Sequence, residues 1–160
     1  MAVLEKSEMK WVALLRVVLG WFFFYAGITK VLDPGWTAQN YLTGAKTFVD
    51  LYQWLASPEM IGLVNFVNEW GLTLIGASLI LGIGVRLSSV LGAGMMLLYY
   101  LPILEFPYVA HGFIVDEHII YAAVFLMLAS LRAGRYYGLE NWCSGLPICS
   151  KYPKLRELLG

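Results

Sequence analysis

The chain has 160 residues, of which 59% are hydrophobic and 14% are charged, and its formal net charge is zero. A soluble domain carries about 45–50% apolar and about 25% charged residues, and a globule this small cannot bury such an apolar excess. The composition therefore indicates an integral membrane protein, and the balanced charge gives no support for a nucleic-acid-binding surface.

The first predicted membrane span covers residues 11–32 and stops at the helix-breaking sequence Asp33-Pro34-Gly35. A helix needs about 20 mostly apolar residues to cross the hydrocarbon layer, and this run is long enough. It contains Arg16 and has no small-x-small cleavage motif before the next polar stretch, unlike a signal peptide. We interpret it as a retained first helix.

A polar and aromatic segment follows at residues 36–59. Its large side chains recur at helix-like spacing, which predicts an amphipathic piece at the membrane interface with its rings at headgroup depth. These side chains are Tyr41, Phe48, Leu51, Tyr52, Trp54 and Leu55.

Three further spans are predicted at residues 64–85, 87–104 and 113–131. Arg86 closes the second span, and the turn after it is so short that the second and third helices should be antiparallel neighbours. The expected fold is all-α and integral to the membrane: a bundle of four transmembrane helices with an interfacial segment between the first two. Residues 1–140 form this domain, and residues 141–160 form a cytoplasmic tail.

The basic residues predict the orientation. They fall before the first span, between the second and third, and after the fourth, which is one side of a four-span topology. The positive-inside rule places that side, and both termini, in the cytoplasm of a multi-pass cell-membrane protein. These residues are Lys6, Lys10, Arg86, Arg132, Arg135, Lys151, Lys154 and Arg156.

Ionisable residues within the spans are the candidate functional residues, because each costs about 2.5–3.5 kcal/mol at a helix centre. Lys30, Glu69 and the run from Asp116 through Glu117 to His118 all lie near the outer ends of their helices. We expect a polar pocket there, with Glu117 and His118 facing inward and Asp116 nearer the headgroups. The alternative is that these groups only neutralise one another between helices.

Metal and thiol chemistry have little support in the sequence. The two histidines, His111 and His118, would lie about 10 Å apart along a helix, which is too far for one small ion. Cys143 and Cys149 fall on the predicted cytoplasmic side, where a thiol pair is reduced or forms a labile redox pair. No metal or haem site is expected.

Several short motifs follow one another along the predicted helices. They are RVVLG at 16–20, GITK at 27–30 followed by Asp33-Pro34, Glu69 with LGIGVR at 81–86, DEH at 116–118, and AGRYYGLE at 133–140. In their order and placement they make the chain resemble the DoxX family, including its DoxD-like members of the thiosulfate:quinone oxidoreductase type. The resemblance runs from residue 16 to residue 140, and two positions depart from the family's last motif: Gly138 stands for Ser and Glu140 for Asp.

The resemblance implies a membrane subunit of a quinone-linked oxidoreductase, in contact with lipid and with other subunits or further copies of itself. Glu69, Glu117 and His118 are then the candidates for proton transfer. Candidates for binding substrate or quinone are Arg16, Lys30, Glu69, Arg86, Asp116 and Tyr121. Two alternatives remain: a non-catalytic anchor of a respiratory complex that binds quinone or lipid, and, with less support, a small-solute transporter.

Overall fold

Four long helices make up most of the computed structural model, which describes residues 5–109 and 112–144. They are α1 (Lys6–Val31), α4 (Ile61–Leu81), α5 (Val85–Ile103) and α6 (Glu117–Ser130). The shorter elements are α2 (Gln39–Thr43), α3 (Val49–Leu55), the hairpin strands β1 (Tyr108–Val109) and β2 (Gly112–Phe113), a 3-10 turn (Ala133–Arg135) and α7 (Glu140–Ser144). The strands are antiparallel, with Tyr108 opposite Phe113 and Val109 opposite Gly112.

The helices pack as two close pairs, α1 with α4 and α5 with α6. Glycines permit the close approach: a Cβ built on Gly20 of α1 would lie 2.8 Å from the Cβ of Leu79 in α4. In the second pair, a Cβ on Gly92 would lie 2.7 Å from Cζ of the buried Phe125 ring. Small residues let helix backbones approach where packing has to replace hydrophobic drive, as it does in lipid.

The outer sides of the bundle are apolar, as expected of a membrane protein. α1, α4 and α5 are each long and apolar enough to cross a membrane. Their large side chains remain open to the surroundings, for example Trp21 (61% exposed) and Leu74 (62% exposed). α6 is equally apolar but has only 14 residues, a length of about 21 Å.

The second predicted span, residues 64–85, extends past the C-terminal end of the observed helix α4. The helix ends at Leu81, because Gly82 and Gly84 adopt left-handed backbone angles (φ +69° and +64°) and reverse the chain. Arg86 therefore lies in the first turn of α5 instead of closing α4. The prediction of antiparallel neighbours is confirmed, because hydrogen bonds join Ser78 to Ser88 at one end and Asn68 to Tyr99 towards the other.

The helix predicted within residues 113–131 is confirmed as α6, which is shorter than that range. Residues 112–113 form β2, and α6 begins only at Glu117. The reason is the Asp116 carboxylate, which accepts hydrogen bonds from the backbone N–H groups of His118 and Ile119 and so caps the helix.

Residues 36–59 contain two short helices, α2 and α3, which fold back over the end of α5. Pro102, within α5, has no N–H to donate, so the carbonyl of Leu98 loses its helical partner. The Tyr52 hydroxyl donates to that carbonyl at 2.9 Å. Thr47 Oγ1 donates to the carbonyls of Leu101 (2.7 Å) and Leu104 (2.6 Å). The segment thus satisfies carbonyls that the broken helix end leaves free.

The bundle has two chemically different ends. At the end that we call the basic end, α1 starts, α4 turns into α5, and α6 finishes. At the opposite end, the aromatic end, α2, α3 and the hairpin cover the helices. A satellite cluster around the buried Tyr52, with Ala38, Leu42 and Ala56, fixes this cover to the bundle.

Candidate functional site

A cavity of about 600 Å³ lies at the aromatic end, between the α2–α3 cover and the ends of α4 and α5. Its volume is in the range of small-molecule sites, about 300–1,000 Å³. Most of its wall is apolar, including Leu42, Leu55, Leu63, Val64, Val67, Met95 and Leu98. The polar side chains that reach it are Lys30, Thr37, Asn40, Tyr41, Tyr52, Asn68, Tyr99 and His118.

Lys30 brings a positive charge to this apolar wall from the last turn of α1. Its Nζ donates to the carbonyl of Ala26 at 2.7 Å and lies 5.3 Å from the centre of the Trp36 ring. A cation over an indole face is stabilised by the ring quadrupole. Within residues 5–109 and 112–144, no carboxylate forms a salt bridge with Lys30. The ammonium group therefore keeps donor capacity for a ligand in the cavity.

His118 reaches the same cavity from the first turn of α6, and Asp116 holds its ring. Nδ1 of His118 lies 2.7 Å from Oδ2 of Asp116, while Oδ1 of Asp116 accepts the backbone N–H groups that cap the helix. The ring also meets Tyr99 edge-on, with centroids 6.1 Å apart. The imidazole is thus fixed on two sides, and its second nitrogen, Nε2, has no hydrogen-bond partner among residues 5–109 and 112–144.

A tyrosine network closes the cavity beside His118. The Tyr99 hydroxyl donates to Asn68 Oδ1 at 2.6 Å, and the Tyr41 hydroxyl donates to the backbone carbonyl of Tyr99. Burial, and in smaller part nearby Tyr52, Asp116 and Glu117, raise the pKa of Tyr41 to about 12. Tyr41 therefore remains a neutral hydroxyl donor at any physiological pH.

The two predicted carboxylates lie outside the cavity wall. Glu69 is half-buried on α4, and its backbone carbonyl accepts from Thr73 Oγ1 at 2.6 Å. Glu117 is exposed, so the expectation that it faces inward with His118 is wrong. Asp116, expected nearer the headgroups, instead anchors His118. Of the ionisable groups predicted for the pocket, Lys30 and His118 line the cavity, and Glu69 and Glu117 do not.

Tyr121 and the two predicted arginines also lie away from the cavity. Tyr121 packs between α1 and α6, with its ring 5.3 Å from that of Phe22. Arg86 is in the first turn of α5, at the basic end. Arg16 lies at that end too and has 1% of its surface exposed. The structure therefore does not bring Arg16, Arg86 or Tyr121 together with Lys30 and His118.

Arg16 instead ties the basic end together. Its guanidinium donates to the carbonyls of Ala133 (2.7 Å), Tyr136 (3.0 Å) and Tyr137 (3.2 Å), which follow α6. The buried carboxylate of Glu140 lies nearby, 3.7 Å from Nε of Arg135. Burial raises the pKa of Glu140, and the charges of Arg135, Arg132 and Arg16 oppose that rise.

Sequence reasoning missed three polar side chains that shape the cavity: Tyr99, Asn68 and Tyr52. Pro102 is a sequence signal that a side chain such as Tyr52 is needed. A proline inside a helix frees the carbonyl four residues earlier, here that of Leu98, and a donor from outside the helix must then bind it. Tyr99 and Asn68 carry no such signal, since an apolar helix gives no indication of which side faces inward.

The described residues contain no group of three or more His, Cys, Asp or Glu side chains that could hold a metal ion. His111 and Cys149 lie outside the described residues, and only the backbone of Cys143, in α7, is described. The predicted cytoplasmic tail, 141–160, is described only to residue 144.

A family model described as DoxX matches residues 11–105 of the chain. These residues include most of α1, all of α2 to α5, and the cavity wall apart from His118. No curated protein and no solved structure matches the chain.

Proposed function

The chain belongs to the DoxX family, and from this premise we propose that it is the membrane subunit of a quinone-linked oxidoreductase. The observation that carries the proposal is the cavity at the aromatic end. There, one cation and one imidazole, together with hydroxyl and amide groups, reach a mostly apolar space of about 600 Å³.

The residues of the cavity fit a quinone. Such a molecule has an apolar ring with polar oxygens at opposite ends, so it needs apolar walls and a few placed polar partners. Leu98, Val67 and Met95 supply apolar wall, and Lys30 and His118 supply polar contacts. A lipid tail or isoprenoid chain would find the same apolar wall continuous with the exposed sides of the helices.

A quinone in the cavity would supply two-electron redox chemistry in which its oxygens gain or lose protons. The role of the protein's own residues is to transfer these protons and to stabilise the charges. His118 can exchange a proton at Nε2 while Asp116 stabilises the ring through Nδ1. Lys30 lowers the energy of negative charge developing in the cavity. The α2–α3 cover, held by Tyr52 and Thr47, limits the access of water.

We further propose four membrane crossings with both termini in the cytoplasm. α6 runs beside α5 from Glu117 at the aromatic end to Ser130, and Ala133 at the basic end follows it, which supports a fourth crossing despite the short length of the helix. Lys6, Arg86 and Arg132 are at the basic end, so the positive-inside rule places that end in the cytoplasm. The cavity then opens near the outer face, with α2 and α3 at the interface. In this proposal, other subunits exchange electrons with the quinone in the cavity.

The experiment is to purify the full chain in mild detergent and measure bound quinone in an organic extract, with equilibrium binding of added quinone as a second readout. We expect quinone in the wild type. Lys30→Met should weaken binding about 10- to 100-fold, because it removes a hydrogen bond to a polar ligand atom in an apolar site. Glu69→Gln and Glu117→Gln are matched controls from outside the cavity and should bind normally.

Other outcomes distinguish the alternatives. Phospholipid or fatty acid in the extract, with no quinone bound even after its addition, would support a lipid-binding anchor. A quinone-free homo-oligomer that passes anions in liposomes would support a transporter. Equal loss of quinone in Glu69→Gln and Lys30→Met would refute the assignment of the cavity.

A further inference from the structure

Asp116 performs two tasks with its two carboxylate oxygens. Oδ1 accepts the backbone N–H groups of His118 (3.0 Å) and Ile119 (3.3 Å), and Oδ2 lies 2.7 Å from Nδ1 of His118. An ionised carboxylate accepts hydrogen bonds and cannot donate them, and a negative charge is favoured at a helix N-terminus. Nδ1 of His118 must therefore carry a proton.

This arrangement decides what the other ring nitrogen can do. A neutral imidazole has one donor and one acceptor, so when Nδ1 is the donor Nε2 is the acceptor. Lys30 already places one positive charge on the cavity wall, and with Asp116 it balances the local charge while the ring is neutral. A charged imidazolium would leave a net positive charge in a mostly apolar space. The other polar groups of the wall are hydroxyls and amides, which carry no charge, and Glu117 is exposed. They are Thr37, Asn40, Tyr41, Tyr52, Asn68 and Tyr99.

We infer that Asp116, by fixing His118 with an accepting Nε2, makes the cavity select the hydroquinone form of its ligand over the quinone form. This inference rests on the proposed function, because it specifies the redox form of the same quinoid ligand. A hydroquinone has phenolic O–H groups that can donate to Nε2, with Lys30 available to its other oxygen. A quinone has only carbonyl acceptors, and one of them would face Nε2 unpaired. Asp116 is thus a positioning residue that acts through His118.

Asp116→Asn separates the two tasks. Asparagine caps a helix about as well as aspartate, so α6 should keep its start. Its side-chain amide, however, has N–H groups where the second carboxylate oxygen was, and these would donate to Nδ1. The ring would then carry its proton on Nε2 and present a donor to the cavity.

The test measures two binding constants with the full-length protein in detergent. The probes are tetramethyl-1,4-benzoquinone and its hydroquinone, the latter kept reduced under anaerobic conditions, and both are measured by equilibrium dialysis. We expect the wild type to prefer the hydroquinone by about tenfold or more, since an unpaired polar atom in an apolar site weakens binding by that order. Asp116→Asn should remove or invert the preference. His118→Gln, whose amide can donate or accept, should show little preference.

A spectroscopic measurement reads the tautomer directly. With ¹⁵N-labelled histidine, NMR of the wild type should show a protonated Nδ1 and an unprotonated Nε2, with the His118 signals identified by their loss in His118→Gln. The tautomer should switch in Asp116→Asn. This readout on the wild type remains decisive even if the Asp116 variant does not fold.

The outcomes separate the two proposals. Failure of both probes to bind the wild type would overturn the proposed function. Binding of both forms with equal affinity, preference for the quinone, or a doubly protonated wild-type ring would overturn only the inference about Asp116. An Asp116→Asn protein with unchanged preference would overturn it as well.

Discussion

Replacing Arg16 with methionine tests whether one buried guanidinium holds the basic end of the bundle together. Arg16 is 1% exposed and donates to the carbonyls of Ala133, Tyr136 and Tyr137. Methionine fills a similar length of apolar space but donates nothing, so the substitution leaves these carbonyls without that donor. It also removes the positive charge that α1 places near the buried Glu140 carboxylate.

The expected loss follows from these contacts. Hydrogen bonds to a charged group contribute about 1.5–3 kcal/mol each, but their effects are not additive because the chain after α6 can relax. We therefore expect Arg16→Met to lower the free energy of unfolding by about 3–5 kcal/mol. The free energy of unfolding of Arg16→Lys should lie between those of the wild type and Arg16→Met, because an ammonium keeps the charge but not the planar fork of donors.

The assay is equilibrium unfolding in mixed micelles, followed by the fluorescence of the six tryptophans. Lys10→Met is the matched control, since Lys10 is exposed on the same helix and should change stability by less than about 0.5 kcal/mol. A double-mutant cycle with Glu140→Gln isolates the pair. In the Glu140→Gln background, Arg16→Met should cost less, because Arg16 adds to the positive charge that Arg135 and Arg132 already place near the Glu140 carboxylate.

The reasoning would be refuted if Arg16→Met were as stable as Lys10→Met. It would also be refuted if Arg16→Met cost the same with and without the Glu140 carboxylate, since the basic end would then not depend on this charge.

Three further substitutions test other parts of the bundle by the same unfolding measurement. Tyr52→Phe should cost about 1–3 kcal/mol, because it leaves the proline-freed carbonyl of Leu98 unsatisfied. Gly27→Ala should cost at least about 1–3 kcal/mol by forcing α1 away from α4, whereas Gly94→Ala meets no atom within 4 Å and should be neutral or slightly stabilising. Because burial raises the folded-state pKa of Glu140 above its ordinary 4.5, wild-type stability should fall as pH rises from below 4.5 through the raised pKa, and Glu140→Gln should remove that fall.

Each of these has an outcome that contradicts it. Tyr25→Phe is the control for Tyr52→Phe, since Tyr25 is 60% exposed. Equal stability of the two variants would show that the hydrogen bond from Tyr52 to the Leu98 carbonyl does not stabilise the fold. Equal effects of Gly27→Ala and Gly94→Ala would mean that α1 and α4 do not pack closely. Identical pH profiles for the wild type and Glu140→Gln would show that this carboxyl does not titrate differently on folding.

The start of α6 shows how a local signal can be present and still be underweighted. Asp116 stands two residues before His118, and aspartate is a strong helix N-cap. A hydropathy window extends the span back to residue 113 because Phe113, Ile114 and Val115 are apolar, but these residues precede the cap and are not helical. Capping chemistry, not hydropathy, decides where this helix begins.

The cavity could be placed at the correct end of the bundle but not built from the sequence. Lys30 and His118 were expected at one depth, and both reach the cavity. Glu69 and Glu117 have suitable depth as well, but the structure turns them away from it. In a membrane helix the sides that face lipid and the sides that face other helices are both apolar, so no contrast of polarity marks the inward side.

The sequence alone determined that the chain is a helical membrane protein, because hydrophobic length and charge distribution are local properties of each segment. It also determined that charges accumulate near helix ends. Only the tertiary structure decided that Arg16 binds carbonyls more than 115 residues away, and that Tyr52 covers the cavity by satisfying a carbonyl freed by Pro102. These contacts depend on helix rotation and on how a loop folds back, and both are set by packing between segments that lie far apart in the chain.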